Sequence, residues 1–99
     1  MLTELTNPQI RKLKALGQKL DPVLVIGRNG VTESFVRSLN EALDQHELVK
    51  VRFGDFKDQK KTLAPELATK AAGHLVQRVG NVALYFRQQA APERRKISF

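Results

Sequence analysis

The chain has 99 residues, enough for one packed domain spanning 1–99 and too few for two, and its 41% hydrophobic and 27% charged content is ordinary for a folded protein. Lys and Arg total 17 against 10 Asp and Glu, a formal charge of +7 with a pI near 10.2, a field that favours polyanionic partners such as RNA, DNA or an anionic membrane surface. The absence of Cys excludes disulfides, zinc–thiolate sites and cysteine nucleophiles; no apolar run is long enough to span a bilayer, and the opening MLTELTNPQIRK lacks signal-peptide order, so a cytoplasmic location is expected.

In chain order, the first helix is marked by Thr6 or Asn7 as a cap and Pro8 in the first turn. Ile10, Leu13, Leu16 and Leu20 form its apolar stripe, Arg11, Lys12, Lys14 and Lys19 lie off it, and Asp21-Pro22 is expected to end it. Val23 to Ile26 is a continuous apolar run and reads as a buried strand. The loop Gly27 to Gly30 follows, and Thr32 caps a second helix whose apolar face is Phe35, Val36, Leu39, Ala42 and Leu43. Leu48 to Phe53 alternates, Val49, Val51 and Phe53 against Leu48, Lys50 and Arg52, a half-buried strand with a basic outer face.

After a Lys-rich connection, a third helix is expected over Gln59 to Ala72, with Pro65 either in the first turn of a late start or at a bend, and Gly73 as a left-handed stop. Helix could continue through Leu75 and Val79, but Gly80-Asn81 between two β-rich runs favours a hairpin of Leu75–Val79 and Val82–Phe86, pairing Val79 with Val82 and Gln77 with Leu84. The basic tail from about 88 to 99 carries Arg94-Arg95-Lys96, and Ile97-Ser98-Phe99 suggests a stub of strand. The order α-β-α-β-α-β-β gives an α/β fold, read as two α+β layers, with a parallel start and a mixed four-stranded sheet.

Reactive groups do not converge. His46 and His74 are the only imidazoles, both at element ends, and the acidic residues are scattered, so no catalytic residue, metal site or cofactor is expected. The loop Gly27-Arg28-Asn29-Gly30 is neither a Walker motif nor a dinucleotide fingerprint. It is a Gly-x-x-Gly between strand and helix, where missing Cβ atoms let backbone approach a phosphate and the helix start offers free N–H groups; it could equally be turn chemistry alone. Lys50, Arg52, Lys57, Lys60 and Lys61, with Arg11, Lys12 and Lys14, would extend it into a sugar-phosphate track if they share a surface. Tyr85 and Phe53 or Phe56 are candidate base-stacking rings.

Taken together, LVIGRNGVTES after an Arg/Lys-rich helix, then HELVKVRF, the Gly73 stop and VGNVALYFR resemble the CRM domain, named for chloroplast RNA splicing and ribosome maturation, in its bacterial stand-alone form. The resemblance covers roughly Leu5 to Ser98, and Gly27, Arg28, Asn29 and Gly30 match the family loop position by position. It implies a four-stranded mixed sheet with packed helices, like the C-terminal domain of translation initiation factor three, and RNA binding through the Gly-x-x-Gly loop much as in KH domains. It associates stand-alone bacterial members with precursors of the large ribosomal subunit and plant relatives with group II intron splicing. Pro65 and Arg78 depart from the family pattern. The expectation is a non-enzymatic, monomeric RNA-binding protein acting on ribosomal RNA through Gly27, Arg28, Asn29, Gly30, Arg11, Lys12, Lys14, Lys50, Arg52, Lys57 and Lys60. A general DNA- or mRNA-binding module, an RNA chaperone and a small RNA enzyme are the other classes.

Overall fold

The structure, a computed structural model, describes residues 4–99. Helix α1, Asn7–Gly17, opens on a reciprocal capping box: Thr6 Oγ1 accepts from the Gln9 amide and Gln9 Oε1 accepts from the Thr6 amide at 2.8 Å. It ends at Gly17, four residues before the Asp21-Pro22 stop expected for it. Gly17 lies close against the sheet, since a Cβ there would be 2.5 Å from Leu84 Cδ2. The chain then tightens into turns, Leu20 accordingly leaves the apolar stripe, and Lys19 is not helical.

Strand β1, Leu24–Ile26, helix α2, Glu33–His46, and strand β2, Leu48–Phe53, form the expected strand–helix–strand unit, with β1 and β2 parallel. Thr32 caps α2 by accepting from the Phe35 amide at 3.0 Å. The run Val23 to Ile26 is not a buried strand. β1 lies at the sheet edge; Ile26 is buried, whereas Val23 and Val25 are 57% and 46% exposed. An all-apolar run hides the alternation that would have shown this.

Helix α3, Lys60–Lys70, begins after a 3-10 turn at Lys57–Gln59 and runs through Pro65, which rules out the late start. The left-handed stop sits one residue earlier than expected: Ala72, not Gly73, has φ 51°. Its amide reaches Thr69 O, and the Gly73 amide reaches Ala68 O at 2.9 Å, the paired bonds of a Schellman motif. Strands β3, His74–Val79, and β4, Val82–Phe86, pair in the expected register, Val79 with Val82 and Gln77 with Leu84. A bulge at Val76 brings Leu75 opposite Tyr85 and Arg78 opposite Ala83. The sheet order is β1-β2-β4-β3.

Helices cover both faces of this sheet, so the two expected layers become three where α1 crosses. On one face α2 and α3 bury Ile26, Val49, Val51, Phe53, Ala83 and Tyr85 with Leu39, Leu43 and Leu67. On the other, Leu13 of α1 packs with Leu48, Leu84 and Phe86. Leu48 therefore shares a face with Lys50 and Arg52 but is buried, because α1 covers only that end of β2.

The tail is not a strand. It makes a 3-10 turn at Pro92–Arg94 and docks on Glu47, which is 1% exposed and has φ 61° with ψ −44°. The Glu47 carboxylate accepts from the amides of Gln89, Lys96 and Ile97 at 2.7, 2.6 and 2.9 Å, and Ile97 packs on the Leu13 cluster. Among the described residues no helix is long and apolar enough to cross a membrane.

Candidate nucleic-acid interface

The parallel pair β1–β2 directs the chain twice to the same end of the sheet. At the end of β1 the chain turns through Gly27–Gly30 into α2, and at the end of β2 it passes through Phe56 and Lys57 into α3. The carboxyl ends of parallel strands are where α/β sheets place ligand-binding loops. The hairpin turn joins them there: Asn81 accepts from the Phe53 amide at 2.7 Å through its carbonyl and from Lys60 Nζ at 2.9 Å through its side chain.

The loop itself is a four-residue turn closed by the Gly30 amide donating to Gly27 O at 3.0 Å. Its two glycines answer different needs. Gly30 has φ 72° and lies under the Phe56 ring, so both conformation and space call for glycine. Gly27 has a φ outside the left-handed region, and a Cβ there would meet nothing within 4 Å. The fold gives no conformational or packing reason for Gly27 to lack a side chain. Around the loop lies a shallow hollow of about 280 Å³ lined by the four loop residues with Thr32, Ser34, Phe35 and Ser38. The amides of Glu33 and Ser34 point out of the first turn of α2, where a helix leaves N–H groups without internal acceptors and the dipole is positive.

Of the expected site residues, the structure brings Gly27, Arg28, Asn29, Gly30, Lys57 and Lys60 together at this end of the sheet, with Lys61 on the next position of α3. Arg28, Asn29 and Lys57 are exposed, while Lys60 is half-buried by its bond to the hairpin. Arg52 is exposed near the end of β2, and Lys50 is half-buried farther back on the α1 face. Lys50 borders a groove of about 470 Å³ between Gly17 and Gln18 of α1 and Gln77, Val79 and Val82 of the hairpin. The α1 cations stand apart. Leu13 packs on Leu48, five residues from Phe53 and so about 17 Å along β2 from the loop end. Arg11 is exposed and Lys14 half-buried, and Lys12 donates to Ser98 O of the tail with its ammonium 5.9 Å from the Phe99 ring centroid. The residues therefore form two basic groups rather than one track. Among the described residues the ion pairs are Glu66–Lys70 and Asp44–Arg87, so none of these candidates is neutralised by a carboxylate.

The candidate aromatics separate cleanly. Phe53 and Tyr85 are fully buried, and Tyr85 donates its hydroxyl to Ala64 O at 2.9 Å, so neither offers a face to a base. Burial raises the Tyr85 pKa above its ordinary value. Phe56 remains, 39% exposed beside Gly30. Ser34 and Ser38 are the lining residues that sequence reading passed over; their i, i+4 spacing on the first turns of α2 is the signal that places both on the loop side. His46 ends α2 exposed, and His74 opens β3 against Phe86, where burial lowers its pKa.

Comparison with known proteins gives a consistent match. The family pattern described as the CRS1 / YhbY (CRM) domain matches residues 5–87. A Pseudomonas aeruginosa protein named "Probable RNA-binding protein PA4753" is 36% identical over 91 residues, covering 91% of this chain and 88% of its own length. An "RNA-binding protein" of Haemophilus influenzae is 31% identical over 87 residues, covering 87% and 88%. The solution structure of the hypothetical protein SAV1595 from Staphylococcus aureus superposes with a TM-score of 0.76 at 30% identity, over 96% of this chain and all of that one.

Proposed function

The chain belongs to the CRS1 / YhbY (CRM) domain family, and from that membership we propose that it is a non-enzymatic RNA-binding protein that captures a backbone phosphate at the Gly27–Gly30 loop. The names of the relatives support RNA as the partner. The observation that carries the loop is Gly27, a glycine in open space with a φ outside the left-handed region, as expected where a ligand's backbone comes close. A phosphate seated there meets the first-turn amides of α2 and its positive end, with Arg28 as a charged donor and Asn29 as a neutral one. Lys57, just after β2, and Arg52, near its end, are exposed cations available to the neighbouring phosphates. The RNA we infer is ribosomal RNA in precursors of the large subunit, the association that the resemblance to the family's stand-alone form implies. The protein acts there as a cytoplasmic monomer.

The test uses two loop variants. Gly27→Ala puts a methyl into space the protein leaves open, so stability should be unchanged or slightly raised. Its affinity for single-stranded RNA, read by fluorescence anisotropy, should nevertheless fall, because the methyl occupies the line of approach. The pair Arg28→Asp and Asn29→Asp should cost well over tenfold and lower the salt slope by about 0.7 for each phosphate released. Unchanged affinity and slope in both variants would mean that the loop is only a turn. Competition with duplex DNA at fixed salt distinguishes an RNA protein from a general nucleic-acid module.

A further inference from the structure

Phe56 combines two properties that buried phenylalanines lack. Its backbone is left-handed, φ 58° and ψ 31°, a conformation in which a bulky L-residue is strained. The residue is 39% exposed, whereas Phe53, Tyr85 and Phe86 are 2% exposed or less. The ring leans on the loop. Its Cε2 and Cζ lie 3.3 and 3.4 Å from where a Cβ of Gly30 would be, so Gly30 makes the room the ring occupies. A left-handed residue at each side of the contact, Gly30 at φ 72° and Phe56 at φ 58°, fixes an exposed aromatic surface against the last residue of the phosphate loop. Strain of this kind, held beside a candidate ligand loop with the ring left exposed, motivates a functional reading.

We propose that Phe56 is a base-stacking platform: while the loop holds a phosphate, the unpaired base of a neighbouring nucleotide lies on the exposed part of the Phe56 ring. The inference rests on the RNA reading of the loop and adds what that reading lacks. Phosphate capture alone does not distinguish a single strand from a duplex. A ring does, because bases within a duplex are already stacked and only a splayed base reaches it. Every base has a π-face, so the ring selects strandedness and not sequence. Lys57, next in the chain and exposed, meets the following phosphate.

The chain contains no Trp, so Phe56→Trp places a single reporter at the site. Single-stranded RNA oligonucleotides should quench its emission over the concentration range in which anisotropy reports binding. Heparin, a polyanion without bases, should bind without quenching. Phe56→Leu keeps an apolar side chain over Gly30 and should weaken single-stranded RNA by roughly tenfold, with the salt slope unchanged because every phosphate keeps its partner. RNA that binds the Phe56→Trp protein through the loop, as judged by sensitivity to Arg28→Asp, yet leaves its emission unchanged would overturn the stacking role while the loop reading stands. Wild-type affinity in Phe56→Leu would do the same. Failure of the wild-type chain to bind RNA at all removes the loop reading, and the platform with it.

Discussion

Glu47 offers a test of how the far end of the molecule is held. Glu47→Ala removes a carboxylate that is 1% exposed and accepts from three tail amides, those of Gln89, Lys96 and Ile97, at 2.7, 2.6 and 2.9 Å. Hydrogen bonds to a charged acceptor contribute about 1.5–3 kcal/mol each. The full sum is not the expected loss, because the tail is free to lift away and its amides then find water. Lifting away, however, also forfeits the packing of Ile97 and the edge contact of Phe99 on Phe86 at 5.7 Å. Counting about two of the three bonds as unrecovered gives ~3 kcal/mol, a large fraction of the 5–15 kcal/mol that holds a domain of this size.

The backbone provides an internal control for that figure. At φ 61° and ψ −44° Glu47 occupies a sparsely populated backbone region, and Ala inherits the same strain while Gly relieves about 1 kcal/mol of it. Glu47→Gly should therefore be less damaging than Glu47→Ala by about that amount. Glu47→Gln is not a rescue: its single oxygen could keep Lys96 and Ile97, but its amide group would then face the Gln89 N–H, donor against donor. Urea unfolding gives the stability, and hydrogen exchange at Lys96 and Ile97 reports whether the tail is docked. A Glu47→Ala protein within about 0.5 kcal/mol of wild type, or one whose tail amides keep their protection, would refute the clamp.

Two further outcomes follow from the fold. Ala72 occupies the left-handed position of a Schellman motif, so Ala72→Gly should raise stability by roughly 0.5–1 kcal/mol in the same urea experiment; a loss would mean that the position is not under conformational strain. Tyr85 is the only tyrosine and is fully buried with its proton on Ala64 O, so the folded chain keeps that proton while the unfolded chain releases it near the ordinary value of 10. Its contribution to stability is complete below pH 10 and is lost as the pH rises above it, and the phenolate absorbance should appear only together with loss of the circular dichroism signal.

What could be read from the sequence was local. Gly80-Asn81 specifies a two-residue turn, and a two-residue turn sets the register, which is why Val79–Val82 and Gln77–Leu84 are legible from the chain alone. Thr32 as a cap and the parallel β1–β2 pair follow from equally short-range chemistry and from the handed crossover. The misses all depend on partners distant in the chain. Val23–Ile26 looks buried until the sheet order puts it at an edge, and Leu48 looks solvent-facing until α1 settles on it. Gly73 draws attention as the only glycine near the end of α3, yet it is needed because a Cβ would sit 3.3 Å from Phe86 O, while Ala72 makes the left-handed turn. The loop was legible as a loop; its association with Phe56 was not, because that depends on a backbone angle at a residue with no local signal for it.

The division of basic residues into two groups limits how RNA can lie on the surface. Arg28, Asn29 and Lys57 sit at the loop end, and Arg11, Lys12 and Lys14 ride on a helix whose anchor, Leu13, packs about 17 Å away along β2 on the α1 face. A strand touching both groups must pass the sheet rim, and Arg52, exposed near the end of β2 and on the same face as α1, is the cation at that crossing. Lys12 is already engaged by Ser98 O and Phe99, so RNA reaching it would have to displace the tail. Among the described residues Arg28, Asn29 and Lys57 have no such partners and the fold needs none for them: their side chains are exposed, and the residues that bury the core beneath them, Ile26 and Phe53, belong to the strands. On that separation, Arg28→Asp with Asn29→Asp should change RNA affinity without changing stability. The share of the salt slope that survives the two substitutions would then measure how much of the RNA reaches α1.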